Sequence, residues 1–126
     1  MKFRFRNNKL QVRAEFIKGK NRYAAWSTID TGSSITIIPP EIANYLELEL
    51  DKENPMIKIV TGSGILEIPR KIAEAMKIDN LIFTNFPVGV HEIPKEVETR
   101  VLIGMDIINQ IKLIVDGKNR EFEIIG

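Results

Sequence analysis

The residues best suited to chemistry are Asp30-Thr31-Gly32-Ser33-Ser34, set between the apolar runs Tyr23–Ile29 and Ile35–Ile38. Alternation and β-branched residues on both sides predict strands entering and leaving this pentapeptide, which puts the acid on a tight turn. Gly32 permits backbone angles that a Cβ would forbid, and its small hydroxylated neighbours can hydrogen-bond a carboxylate without crowding it. The chemistry on offer is that of one carboxylate held in a fixed orientation. Other reactive groups are scarce. There is no cysteine, hence no disulfide, thiolate nucleophile or thiolate metal site, and a single histidine, His91, leaves no histidine-based metal cluster. His91 reads as a solvated loop residue beside Glu92, Pro94 and Lys95, and no cofactor or metal is expected.

The elements that must hold this turn follow from composition and pattern. The length of 126 residues predicts a single domain over 1–126, and 44% hydrophobic content suffices for a core. Twenty-one isoleucines against eight glycines and six prolines favour many short strands and frequent turns, an all-β architecture. The net charge of +1, from 18 basic and 17 acidic residues, recommends neither nucleic acid nor an anionic membrane as partner. The N-terminus lacks an apolar run of signal-peptide length and no stretch reaches membrane-span length, so a cytoplasmic location is expected.

In chain order, Lys2–Arg6 and Leu10–Ile17 alternate as strands with one buried face, and Gly19-Lys20-Asn21 turns into the strand carrying Trp26, itself read as a packing residue. Pro39-Pro40 ends the strand after the turn and opens a short helix from Pro40 to Leu46, with Ile42, Ala43 and Leu46 on one face. Glu47–Asn54 is an exposed connection or edge strand. Met56–Val60 and Ile65–Ile68 form a hairpin around Thr61-Gly62-Ser63-Gly64. Arg70–Asn80 fits helix or strand equally well by pattern. Leu81–Phe83 and Phe86–Val90 are expected to form a hairpin turned at Thr84-Asn85. Val101–Gly104 is a short apolar strand of the kind buried on both sides, followed by a brief helix over Met105–Gln110. Ile111–Val115 and Arg120–Ile125 close the chain as a hairpin around Asp116–Asn119.

Four features in this order, the Asp30-Thr31-Gly32-Ser33 turn, the helix-suited Pro39–Leu46, the glycine-punctuated Thr61–Gly64 and Leu102-Ile103-Gly104-Met105-Asp106, make the chain resemble the retroviral-type, retropepsin-like single-lobe aspartic peptidases over roughly Ala14 to Val115. The resemblance implies a closed β-barrel with one or two short helices, active as a symmetric homodimer, and sheet over Arg70–Asn80. It implies that Thr61, Gly62, Ser63 and Gly64 form the tip of a flap closing over an extended polypeptide substrate. It also implies that the strand Leu102-Ile103-Gly104 passes beneath the active turn. No tyrosine lies near the flap tip, unlike larger two-lobed members.

Carboxylate-driven peptide hydrolysis needs one ionised acid to take a proton from water and one protonated acid to polarise the scissile carbonyl. This chain has one Asp-Thr-Gly, since Asp116-Gly117 belongs to a turn. Two copies of Asp30 across a two-fold axis would complete the pair, which keeps one proton and titrates as a unit. By resemblance, Thr31 would bond across that axis and Gly32 would offer backbone contacts to carboxylate and substrate. Ser33 would donate to the catalytic carboxylate, which predicts an acidic optimum. Retroviral members place an acid one residue later and an arginine after the downstream glycine; here Ser34 and Met105 stand there. The terminal strands, with Phe3, Phe5, Phe122, Ile124 and Ile125, are the expected dimer interface; Ile35, Ile37, Ile65 and Val88 are candidates for pocket lining, each expected first of all as core. The rival expectations are a noncatalytic peptide-binding or dimerisation module of the same fold, and an unrelated small barrel in which Asp30 only caps a turn.

Overall fold

In the computed structural model, which describes residues 1–126, β1 (Lys2–Arg4) leads through a bend into the hairpin of β2 (Gln11–Lys18) and β3 (Asn21–Ile29). The hairpin reverses at Gly19-Lys20, where Gly19 takes φ 57. β4 (Thr36–Ile38) ends at Pro39, whose ring-constrained backbone precedes helix α1 (Pro40–Tyr45) with proline at its first position. α1 buries Ile42 and Ala43, and Leu46 just past its end is also buried.

β5 (Met56–Thr61) and β6 (Gly64–Ile78) form the expected glycine-tipped hairpin. β6 is 15 residues long and runs on past the hairpin to Ile78, so Arg70–Asn80 is strand for most of its length. β7 (Leu81–Val90) pairs with β6 from Ile78↔Leu81 to Arg70↔Gly89. The turn expected at Thr84-Asn85 is therefore absent. Asn85 does adopt φ 50, and the ladder lapses between Ala73↔Phe86 and Ala75↔Thr84, but the unbroken β6 holds both halves of β7 in one strand. The reversal lies instead at Asp79-Asn80, with Asp79 at φ 51. Glu47–Asn54 is mostly exposed and runs along β6, where Ile72 N–H donates to Glu49 O and Asp51 N–H to Arg70 O.

β8 (Val101–Ile103), α2 (Met105–Ile108), β9 (Lys112–Asp116) and β10 (Glu121–Ile125) complete the chain. The order β2-β3-β8-β4-β7-β6 closes through a β2–β6 pairing into a six-stranded barrel, with β5 attached outside β6. Inside lie Val12, Phe16, Ile38, Met76, Ile78, Val88 and Ile103, each almost fully buried. Each such side chain contributes about 1.5–3 kcal/mol.

A separate three-stranded sheet, β1-β10-β9, packs its Phe122 and Ile124 into the same core. Phe3 stacks on Phe122 with ring centroids 5.1 Å apart, and Phe5 lies 6.4 Å from it. These terminal aromatics pack on one another within the chain, which removes part of their apolar surface from water; of Phe3, Phe5, Phe122, Ile124 and Ile125, only Ile125 is exposed.

Candidate active site

Asp30 follows β3, and the chain returns as β4, yet these two strands do not pair. β8 lies between them, parallel to β3 from Ser27↔Val101 to Ile29↔Ile103 and antiparallel to β4 at Ile37↔Leu102. The loop from Asp30 to Ile35 must therefore cross two strand spacings, roughly 9–10 Å, and it is tied from below. Asp30 N–H donates to Ile103 O at 2.9 Å and Met105 N–H to Ser33 O at 2.7 Å. A Cβ on Gly104 would lie 2.6 Å from Ile35 C and O and 2.8 Å from Ser33 O. Only glycine lets β8 pass this close beneath the turn.

The turn itself holds the carboxylate. Ser33 N–H donates to Asp30 O at 3.1 Å, and Gly32 N–H donates to Asp30 Oδ1 at 2.9 Å. Asp30 Oδ2 takes no hydrogen bond from the chain. Asp30 is half-buried, and Thr31 and Gly32 are exposed beside it. Gly32 does not have positive φ. What it supplies is room, because a Cβ there would sit 3.2 Å from Asp30 Oδ1.

Ser33 departs from expectation. Its hydroxyl donates to Ile35 O at 2.6 Å and not to Asp30, so its donor closes the turn, and the acidic optimum inferred from a Ser33–Asp30 bond loses that support.

Two residues of the site, Thr36 and Asp106, carry no role from sequence. Asp106 accepts from Thr36 Oγ1 at 2.8 Å and from Thr36 N–H at 3.2 Å, while Thr36 Oγ1 accepts from Gly104 N–H at 3.2 Å. This brace joins β4, Gly104 and α2 directly under the turn. Thr36 is fully buried and Asp106 partly so. Burial pushes the Asp106 carboxyl up from its ordinary value, against the hydrogen bonds from Thr36 and Ile107, which favour the ionised form. The available signal was polarity: Thr36 is the lone polar residue of Ile35–Ile38, and Asp106 the lone acid of Val101–Ile108.

The β5–β6 hairpin projects an apolar face toward the turn. Ile57, Ile59 and Ile68 pack with Ile35, Ile37, Ile93 and Leu102 in a cluster distinct from the barrel core. Gly89 makes space for it, since a Cβ there would meet Ile68 Cδ1 at 2.6 Å and Ile37 Cδ1 at 2.8 Å. Of the pocket candidates, Val88 lies in the barrel core, the reading preferred for it, whereas Ile65, opposite Val60, is neither core nor pocket and lies on the other face of the hairpin, where the two are 71% and 86% exposed. At the tip, Thr61 Oγ1 donates to Gly64 O and accepts from Ser63 N–H, and Gly64 takes φ 126. A surface pocket lies elsewhere, beside Arg6, Trp26, Glu41 and Arg100, and includes no residue of the turn. Within it Arg100 pairs with Glu41 and Arg6 stacks on Trp26.

A model of the aspartyl protease family matches residues 12–107, which contain the turn, the hairpin and Leu102-Ile103-Gly104. Among solved structures the chain is similar to a retropepsin-like aspartic protease from Rickettsia conorii, with a TM-score of 0.69 and 19% identity over 99% of this chain and 98% of that one. No curated protein matches. At that identity the structural likeness speaks for the fold, and the family rests on the matched model. The chain belongs to the aspartyl protease family and has its retropepsin-like fold.

Proposed function

We propose that the protein is an aspartic endopeptidase whose active form is a homodimer, each copy supplying one Asp30 to a shared site. The observation carrying this reading is the state of Asp30: one oxygen is fixed by Gly32 N–H, the other is unengaged, and the backbone is tied at both ends of the turn. A lone carboxylate so held lacks the second acid that the reaction needs, and a two-fold axis supplies it.

In the dimer, the ionised member of the Asp30 pair takes a proton from a water held between them as that water attacks the scissile carbonyl carbon. The protonated member hydrogen-bonds the carbonyl oxygen, on which negative charge develops. The tetrahedral diol then collapses as a proton passes to the leaving nitrogen and the C–N bond breaks. Gly32, close to the carboxylate, offers backbone contacts, and Thr31 reaches across the axis. The β5–β6 hairpin acts as the flap, closing Thr61–Gly64 over an extended polypeptide bound by main-chain hydrogen bonds. The aliphatic cluster of Ile35, Ile37, Ile57, Ile59 and Ile93 favours apolar side chains near the cleaved bond.

The test is hydrolysis of a denatured protein mixture across acidic to neutral pH, with Asp30→Asn and a statine-type transition-state analogue alongside. Cleavage that requires Asp30 and is blocked by the analogue supports the reading. A folded, dimeric protein that cleaves nothing at any pH overturns it in favour of a binding module.

A further inference from the structure

Arg6 and Lys9 exchange both backbone bonds, each at 3.0 Å, across Asn7-Asn8, which take φ 53 and 56. Two left-handed residues so placed make a tight hairpin turn, and continued in register it would pair Arg4 with Gln11 and Lys2 with Arg13. Neither pair forms. Each arm is drawn off to a different sheet: Phe5 N–H donates to Arg120 O beside β10, and Leu10 O accepts from Ile29 N–H at the end of β3. The hairpin therefore opens into a wedge just beyond its turn.

The walls of the wedge carry unused main-chain groups. Met1 exchanges both backbone bonds with Ile124, and Phe5 is bonded to Arg120, so by alternation Lys2 and Arg4 turn their N–H and C=O away from β10. Leu10 addresses β3, so Gln11 and Arg13 turn theirs to the opposite side, where β6 stops at Ile78 opposite Ala14. Between the walls lies a groove of about 560 Å³, floored by Phe5, Val12 and Ile78. Its rim is basic, with Arg4, Arg6 and Arg13 against one acid, Asp79. Arg4 stands opposite Glu121 on the β1–β10 ladder, but Arg6 and Arg13 are in no salt bridge. Both attend one ring: Arg6 lies 3.9 Å over Trp26, and Arg13 is directly opposite Trp26 on the β2–β3 ladder.

We propose that this wedge is a second binding site, separate from Asp30, for an extended polypeptide segment rich in carboxylates. The segment lies as a strand along the Lys2–Arg4 edge and takes main-chain hydrogen bonds there, while its acids meet the guanidinium groups of Arg6 and Arg13 beside Trp26. Successive side chains of a strand point to opposite faces, so acids on the rim leave the intervening residues facing the floor, which suits apolar ones. The unpaired strand edge selects a polypeptide over other polyanions, since a phosphodiester chain has no amides to complete it. The site goes beyond the peptidase reading and does not depend on it.

Trp26 is the only tryptophan, so its emission reports on the site directly. The probe is an end-capped peptide of alternating glutamate and valine, titrated into the full chain carrying Asp30→Asn so that the peptide stays intact. A saturable change in Trp26 emission is expected, weakened by salt, and the counterpart with glutamine for glutamate is expected to bind roughly tenfold more weakly. Arg13→Gln and Arg6→Gln, both at exposed positions, are each expected to weaken the glutamate peptide by roughly tenfold, and Lys20→Gln, on the far turn of the β2–β3 hairpin, not at all. Methylating alternate amide nitrogens of the peptide keeps its charges and removes its donors, and is expected to weaken binding too. A glutamine or N-methylated peptide that binds as tightly, or arginine variants with unchanged affinity, overturns the site. So does a single-stranded oligonucleotide that displaces the peptide at lower concentration than unlabelled peptide does, which assigns the wedge to nucleic acid. Hydrolysis by the wild-type chain is scored separately: saturable binding without any hydrolysis keeps the wedge and overturns the peptidase reading, and hydrolysis without such binding does the reverse.

Discussion

Replacing Thr36 by valine keeps the shape of the side chain and removes one oxygen, the atom that links Gly104 to Asp106. The buried Gly104 N–H loses its acceptor at 3.2 Å, and Asp106 Oδ1 loses one of its two donors, at 2.8 Å, keeping Ile107 N–H. A buried donor left unmatched costs about 1–3 kcal/mol, and a hydrogen bond to a charged group contributes about 1.5–3 kcal/mol. The two losses share one atom, so about 2–4 kcal/mol is expected near neutral pH, which lowers the melting temperature by roughly 10 °C. The pH dependence carries a sign. The folded-state Asp106 value lies above its unfolded one, so the ionised carboxylate opposes folding at neutral pH, and this cost disappears as pH falls through the folded value. Removing the Thr36 donor raises the folded value further. The deficit of Thr36→Val is therefore largest near neutrality and shrinks as acidification protonates Asp106, which then no longer needs that donor. Urea unfolding of both proteins at matched protomer concentration measures it. A deficit below about 1 kcal/mol at neutral pH, or one that grows on acidification, would refute the brace as what holds Gly104 and β8 under the turn.

Gly104→Ala drives a Cβ into backbone atoms of Ile35 and Ser33, so a loss of about 3 kcal/mol or more and of peptide hydrolysis is expected from melting and activity assays. Ser33→Ala removes a bond to Ile35 O, and is expected to cost about 1 kcal/mol while leaving the pH–activity profile in place; a displaced acid limb would show that the hydroxyl acts on Asp30 after all.

The Asp30–Ser34 turn was legible because its chemistry is local. An acid, a glycine and two hydroxyls between apolar runs define it within five residues, and the apolar Leu102-Ile103-Gly104 announces a strand that needs close backbone approach. The strand at Arg70–Ile78 was undecidable from pattern alone, because Ile72, Ala73, Ala75, Met76 and Ile78 satisfy both periods; its neighbours β2 and β7 decide it. The same nonlocal pairing misled the reading of Thr84-Asn85, a sound turn dipeptide in isolation that a continuous partner strand keeps extended. Phe3, Phe5 and Phe122 were correctly read as apolar strand faces, but which surface they cover depends on β1 returning to β10 across nearly the whole chain. Ser33 illustrates a finer limit. The residue type predicts a hydrogen bond, and the local backbone, by placing Ile35 O within reach, selects its acceptor.

The central claim is that one catalytic site uses Asp30 from two chains, and the most direct measurement is peptide hydrolysis by wild-type and Asp30→Asn protomers refolded together in varying ratio at constant total concentration. Random pairing predicts activity that falls as the square of the wild-type fraction, about one quarter of full activity at an equal mixture, because a dimer with one carboxylate lacks either the acid or the base. Activity that falls in direct proportion to the wild-type fraction would show that each chain works with its own Asp30, and would contradict the shared site.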